Sequence, residues 1–201
     1  MKIDRARLDR FWAYAAAFGA LWGALEVTVG SFLHALRVPF TGVMLAAIGA
    51  GLLVAERQVL PQRGICLATG LVAALCKSLS PTGIIWGPMV GIVAEAALVE
   101  LALFLEPRKA ASAALAGGFA ATWAISQGLL TQYIFYGANI FALYVSAIQK
   151  TTKWFGWAPQ SGWDVVLAVV GVFFLSGAAF GVWGLRIGRI CHGRVAGLLH
   201  V

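Results

Sequence analysis

The sequence predicts an all-α polytopic membrane protein, a single bundle of six transmembrane helices spanning residues 1–201, with both termini on the cytoplasmic side. Three observations carry this reading. Of 201 residues, 61% are hydrophobic and only 11% charged, whereas soluble domains usually carry about 25% charged residues. Six apolar runs, at about 11–34, 40–55, 64–79, 84–105, 110–136 and 165–187, are separated by polar connectors. With both ends placed inside, eleven of the fifteen Lys and Arg residues fall on the inner side, as the positive-inside rule requires. The formal net charge of +7 therefore sets topology. It forms no single basic run or stripe of the kind that reads nucleic acid.

The first run, Phe11–His34, reads FWAYAAAFGALWGALEVTVGSFLH and exceeds the roughly 20 apolar residues that span a hydrocarbon core of about 30 Å. Its first half carries small residues at four-residue spacing, including Ala13/Ala17, Ala16/Ala20 and Gly19/Gly23. Such rows permit close backbone approach between helices. Its second half places Glu26, Gly30 and His34 on one helix face. The run is too long, and lacks a suitable cleavage site, to be a signal peptide.

The second run ends at the connector ERQVLPQR. The third is short and turns at Ser80-Pro81-Thr82-Gly83, and the fourth opens with Ile84-Ile85-Trp86-Gly87-Pro88. Short spans interrupted by Gly and Pro accompany sites inside membrane proteins, and they equally make tight helical hairpins. The fifth run leads into 132–149, which is apolar enough to tempt a seventh span. A seventh span would carry Arg186, Arg189 and Arg194 outside, so the prediction is an interfacial outer segment over about 137–164. Trp154, Trp157 and Trp163, with Lys150 and Lys153, form its aromatic belt. Cys66, Cys76 and Cys191 lack metal-site spacing and read as small core residues.

Ionisable groups within a membrane cost about 2.5–3.5 kcal/mol each on insertion scales, so each needs a reason. Glu26, His34, Lys77 and Glu95 are the candidates for a polar cavity open to the outer side, with Trp22, Trp86, Trp123 and Gln127 nearby. Glu95 shares a helix face with Pro88, Gly91, Ile92 and Val99. Glu100 is turned away by about 140° and reaches toward the cytoplasmic interface. Pairing of Lys77 with Glu26 or Glu95 as bundle glue is the competing reading. The substrate-binding set is thus Glu26, His34, Lys77, Trp86, Glu95 and Gln127. The partner-docking set is Ala13, Ala16, Ala17, Gly19, Ala20 and Gly23. Enzyme signatures are missing: there is no HExxH, GxSG or Walker A motif, and Asp4, Asp9 and Asp164 all lie outside the apolar runs. No cofactor, catalytic residue or metal site is expected, and active transport would draw its energy from a partner or an ion gradient.

Chain length, six spans, inner termini and the Ala-x-x-x-Ala rows Ala13/Ala17, Ala16/Ala20 and Ala20/Ala24 resemble the substrate-binding (S) component of energy-coupling factor transporters. The resemblance implies a bacterial cytoplasmic-membrane protein that captures a small water-soluble micronutrient, a vitamin or precursor, from outside. It implies a site in the outer half, and a first helix that docks on a membrane coupling subunit driven by ATPase subunits. The start Met1-Lys2-Ile3 lacks the Met-His beginning of the family's metal-transporting relatives. Two other classes stay open: a stand-alone proton- or cation-coupled secondary transporter or channel, and a membrane-embedded enzyme or assembly factor.

Overall fold

A computed structural model describes residues 5–36, 40–79, 86–136 and 162–198. These form α1 (Arg5–Ala35), α2 (Thr41–Val59), α3 (Ile65–Lys77), α4 (Trp86–Ala102), α5 (Ala110–Tyr136) and α6 (Gly162–Leu198), with no strand among the described residues. Three of these helices are long and apolar enough to cross a membrane, over Arg5–Leu33, Thr41–Val59 and Val166–Arg194, and α3 is a shorter apolar helix.

The boundaries follow backbone chemistry more than hydropathy. α1 begins in the charged stretch before Phe11, because nothing in RARLDR breaks a helix. α2 continues past residue 55 through Glu56, Arg57, Gln58 and Val59. It stops just ahead of Pro61, whose ring disfavours helical geometry in the residue before it. The connector expected from the first charge, Glu56, gives way to helix as far as Val59, because the first true breaker, Pro61, lies five residues on. α3 begins after Gly64, which holds φ at 85°, a left-handed conformation open to glycine at little cost. α4 tolerates Pro88 in its first turn. α6 runs on past 187 to Leu198, carrying exposed Arg186, Arg189 and Arg194. Its 37 residues make a rod of about 55 Å at 1.5 Å per residue. The expected interfacial segment falls outside the described residues except for 162–164, which open α6.

α2 is the axis of the bundle. It touches all five other helices, which follow one another around it in the order α1, α3, α4, α5, α6. Among the described residues α1 and α6 do not meet, so the ring is open there. A helix enclosed in this way must be apolar or small on every side. The buried positions of α2 include Val43, Leu45, Ala46, Ala47, Gly49, Ala50, Gly51, Leu53, Val54 and Ala55. The largest fully buried side chains, Trp22, Leu53, Ile65, Leu103 and Leu185, come from α1, α2, α3, the segment after α4, and α6.

Glycine sets the closeness of the crossings. A Cβ on Gly177 or Gly181 would run into the backbone carbonyl of Gly117 or Ala113 in α5. One on Gly184 would meet the Gly51 carbonyl of α2, and one on Gly188 would lie 2.7 Å from the Ala55 oxygen. The two glycine pairs of α6, Gly177/Gly181 and Gly184/Gly188, are thus spent inside the bundle. The cysteines divide: Cys66 is buried, Cys76 half-buried and Cys191 exposed, so Cys191 is not the core residue expected.

Gly171 and Gly177 lie in the same helix in opposite surroundings, since a Cβ on Gly171 meets nothing within 4 Å. Gly177→Ala should destabilise the protein by about 1–3 kcal/mol through overpacking. Gly171→Ala should be neutral or stabilise it by up to about 1 kcal/mol through helix propensity. Reversible unfolding in mixed detergent micelles measures both.

Candidate functional site

Two polar clusters lie in the bundle, tied to the two ends of α3. The first gathers residues of α1, α3 and α4. Lys77, in the last turn of α3, reaches α1. Its ammonium donates to the Glu26 carbonyl oxygen at 2.9 Å and to Glu26 Oε2 at 3.3 Å. Both residues are buried, each 7% exposed. Gly30, one turn beyond Glu26, keeps this space open. A Cβ there would lie 3.6 Å from Lys77 Nζ and 3.9 Å from Glu26 Oε2. Glu95 of α4, also 7% exposed, stands within electrostatic reach of Glu26. It lies on the buried face expected for it, with Gly91, Ile92, Ala96 and Val99. Among the described residues Glu95 makes no hydrogen bond or ion pair. The cluster therefore holds two carboxylates and one ammonium, with Glu95 the acid lacking a cation.

The other expected site residues distribute differently. Gln127 of α5 donates through Nε2 to the Gly87 carbonyl, and its Oε1 occupies the space that a Cβ on Gly91 would need, so it fastens α5 to the first turns of α4. Trp86 begins α4 and is 81% exposed; in the described structure its ring has no place beside Lys77 and Glu26. Trp22 is fully buried with its indole packed against Gly49 of α2, and its Nε1 has no hydrogen-bond partner among the described residues. His34 belongs to α1, and its side chain lies outside the described residues. The docking set also divides. Gly19 and Gly23 are buried against α3, where a Cβ on Gly19 would lie 2.6 Å from Val72 Cβ and one on Gly23 would clash with Cys76. Ala13, Ala16, Ala17 and Ala20 are exposed, as is Ala24.

The second cluster was not anticipated as a unit. Glu100 of α4, which the sequence directed toward the interface, turns inward to cap α3. Its Oε1 accepts the Gly64 N–H at 2.7 Å and its Oε2 the Cys66 N–H at 3.0 Å. Those donors are among the four that the first turn of a helix leaves unpaired, and the negative charge also complements the helix dipole. Arg57 places Nη2 3.6 Å from Glu100 Oε1. Beside it Glu56, fully buried, accepts the Thr69 hydroxyl at 2.8 Å through Oε1. Gln58 donates to the Pro107 carbonyl at 2.7 Å, and the Arg63 guanidinium lies 4.3 Å from the Phe104 ring centroid. Moving the end of α2 from the first charge to the first proline would have brought Glu56 and Arg57 to light.

No protein-family model, curated relative or solved structure matches this chain.

Removing one partner of a buried ion pair leaves the other uncompensated, which costs about 3–5 kcal/mol, whereas replacing both by apolar groups is often neutral. Lys77→Met should therefore lower stability in detergent unfolding by about that much. Lys77→Met combined with Glu26→Leu should recover most of the loss. A double variant no better than Lys77→Met would mean that Lys77 acts through its carbonyl contact and not through the Glu26 carboxylate.

Proposed function

We propose that this chain is a membrane substrate-capture subunit of a micronutrient importer of the energy-coupling factor type, set in the bacterial cytoplasmic membrane with six spans and both termini inside. The observation that carries the proposal is the Glu26–Lys77–Glu95 cluster, three buried ionisable groups from three helices. Such groups are expensive in a bilayer and mark sites more often than they mark packing. In this reading the cluster occupies the outer half. Glu95 supplies an acceptor for a positive charge or hydrogen-bond donor of the substrate. Lys77 exchanges part of its bond to Glu26 for an anionic group. Binding, not catalysis, is the activity.

α1 serves both ends of this reading. Glu26 and Gly30 belong to the cluster, while the exposed Ala13, Ala16, Ala17 and Ala20 lie about two turns and more toward its other end. Ala17 is about 14 Å from Glu26 along the axis at 1.5 Å per residue. This exposed row is the part of α1 left to dock on a coupling subunit, since Gly19 and Gly23 are already used by α3.

The uncompensated Glu95 also favours a second reading, a proton- or cation-coupled transporter acting alone. Uptake into proteoliposomes that hold only this chain, driven by a pH gradient, would select it.

Co-purification distinguishes the two. Wild-type chain isolated from its native membrane should bring down a membrane coupling subunit and ATPase subunits. Ala17→Leu should lose them while keeping wild-type thermal stability, because the position is exposed. Equilibrium binding to the isolated chain should fall at least tenfold in Glu95→Gln and Glu26→Gln, the loss of about 1.4 kcal/mol or more of binding free energy. Unchanged affinity in both variants would sink the site assignment.

A further inference from the structure

The cluster at the other end of α3 carries an inference of its own, independent of the transport reading. Its donors and acceptors do not balance. Glu100 spends both oxygens on the Gly64 and Cys66 N–H groups. Arg57, 3% exposed, has one nitrogen 3.6 Å from Glu100, beyond hydrogen-bond length, and its Nε and Nη1 have no partner among the described residues. Glu56, 0% exposed, satisfies Oε1 with Thr69 and leaves Oε2 without a partner among the described residues. Both are neighbours on α2, and both lie, with Glu100, within electrostatic reach of the fully buried Cys66. Three ionisable side chains thus converge on the first half of α3, with two guanidinium nitrogens and one carboxyl oxygen unmet.

Unmet buried polar atoms are costly, and native proteins satisfy them with protein or with ordered water. The chemistry of the unmet atoms selects the occupant: Arg57 Nε and Nη1 need an acceptor, and Glu56 Oε2 needs a hydrogen-bonding partner of its own. A neutral group that accepts from N–H and donates to a carboxylate meets both demands. Full burial restricts it to the smallest such molecule, and buried waters make about three bonds of this type. We propose that this cluster is a bound-water site, in which internal water accepts from Arg57 Nε or Nη1 and donates to Glu56 Oε2, fastening α2 to α3 and α4.

Cys66 is a built-in reporter. Its sulfur lies 3.7 Å from the Leu53 carbonyl oxygen in the core, sealed from solvent, whereas Cys191 is exposed. X-ray radiolysis creates hydroxyl radicals from water wherever water resides. The full chain in lipid nanodiscs is irradiated and read by mass spectrometry. A parallel sample is treated with a methanethiosulfonate reagent. Expected are radiolytic oxidation of Cys66 at a rate comparable with that of Cys191, and reagent modification of Cys191 alone. Loss of radiolytic oxidation at Cys66, and not at Cys191, is expected when Glu56→Leu and Arg57→Met are combined. Cys66 left unoxidised in the wild type would overturn the proposal. So would Cys66 modified by the reagent, which marks a path open to bulk solvent, or oxidation that persists undiminished in the folded double variant.

Discussion

Enclosure of α2 is the constraint on which the rest of the structure depends. A helix touched by five others buries most of its surface, so the side chains on its buried faces must be apolar, small or partnered. The central stretch meets this with Ala46, Ala47, Gly49, Ala50 and Gly51. Those residues let Trp22 lie on the backbone at Gly49 and let α6 approach at Gly51. Where α2 turns polar, at Glu56 and Arg57, the same enclosure forces its neighbours to answer. Thr69 comes from α3 and Glu100 from α4. The small residues and the buried charges of α2 are therefore two responses to one condition.

α3 is the shortest described helix and the one most held by charge. Its N-terminal donors are taken by Glu100, its middle by Thr69 on Glu56, and its last turn by Lys77 on Glu26. With 13 residues its axis spans about 20 Å, so the two polar clusters stand at its ends within a bilayer-sized distance. These fastenings add to its apolar packing, in which Ile65, Cys66, Ala68, Ala73 and Ala74 join the core. Each cluster contains an ion pair plus a further carboxylate, Glu95 at one end and Glu56 at the other. That recurrence gives each end a carboxylate beyond those its cation pairs.

How far the sequence could be read depended on which physical signal was in charge. The helical class, the apolar runs and the buried face of Glu95 were legible because composition and the 3.6-residue period report them directly. Glu26, His34, Lys77 and Glu95 could be grouped in advance as rare ionisable positions, and the structure brings Lys77 within hydrogen-bonding distance of Glu26. The tertiary role of α2 was not legible, because its hydropathy resembles that of α1. What distinguishes it is the number of neighbours, which no local pattern encodes. The end of α2 was misplaced because charge was taken as a sign of solvent. In a bundle, Glu56 and Arg57 can stay helical and buried if partners arrive from residues 69 and 100, far along the chain. The small residues of α1 illustrate the same limit. Gly19 and Gly23 face α3 and the Ala row faces outward, a division that spacing alone leaves undetermined.

That division bears on how a change at the Glu26–Lys77 pair reaches the far end of α1. Among the described residues α1 contacts α2 and α3 but not α6, so it borders the open side of the ring. Any displacement of Lys77 from Glu26 acts on the α1–α3 contact, which is held by glycine against Val72 and Cys76 with no slack for sliding. α1 and α3 must then move together or separate. If they move together, strain falls on the Glu100 cap and the Thr69–Glu56 bond at the other end of α3. A bridging water there would tolerate a small shift more readily than direct bonds of fixed length, because it can reorient while keeping its partners. The tight glycine seam at one end and the polar cluster at the other thus make α3 the stiff element through which the two sites would communicate.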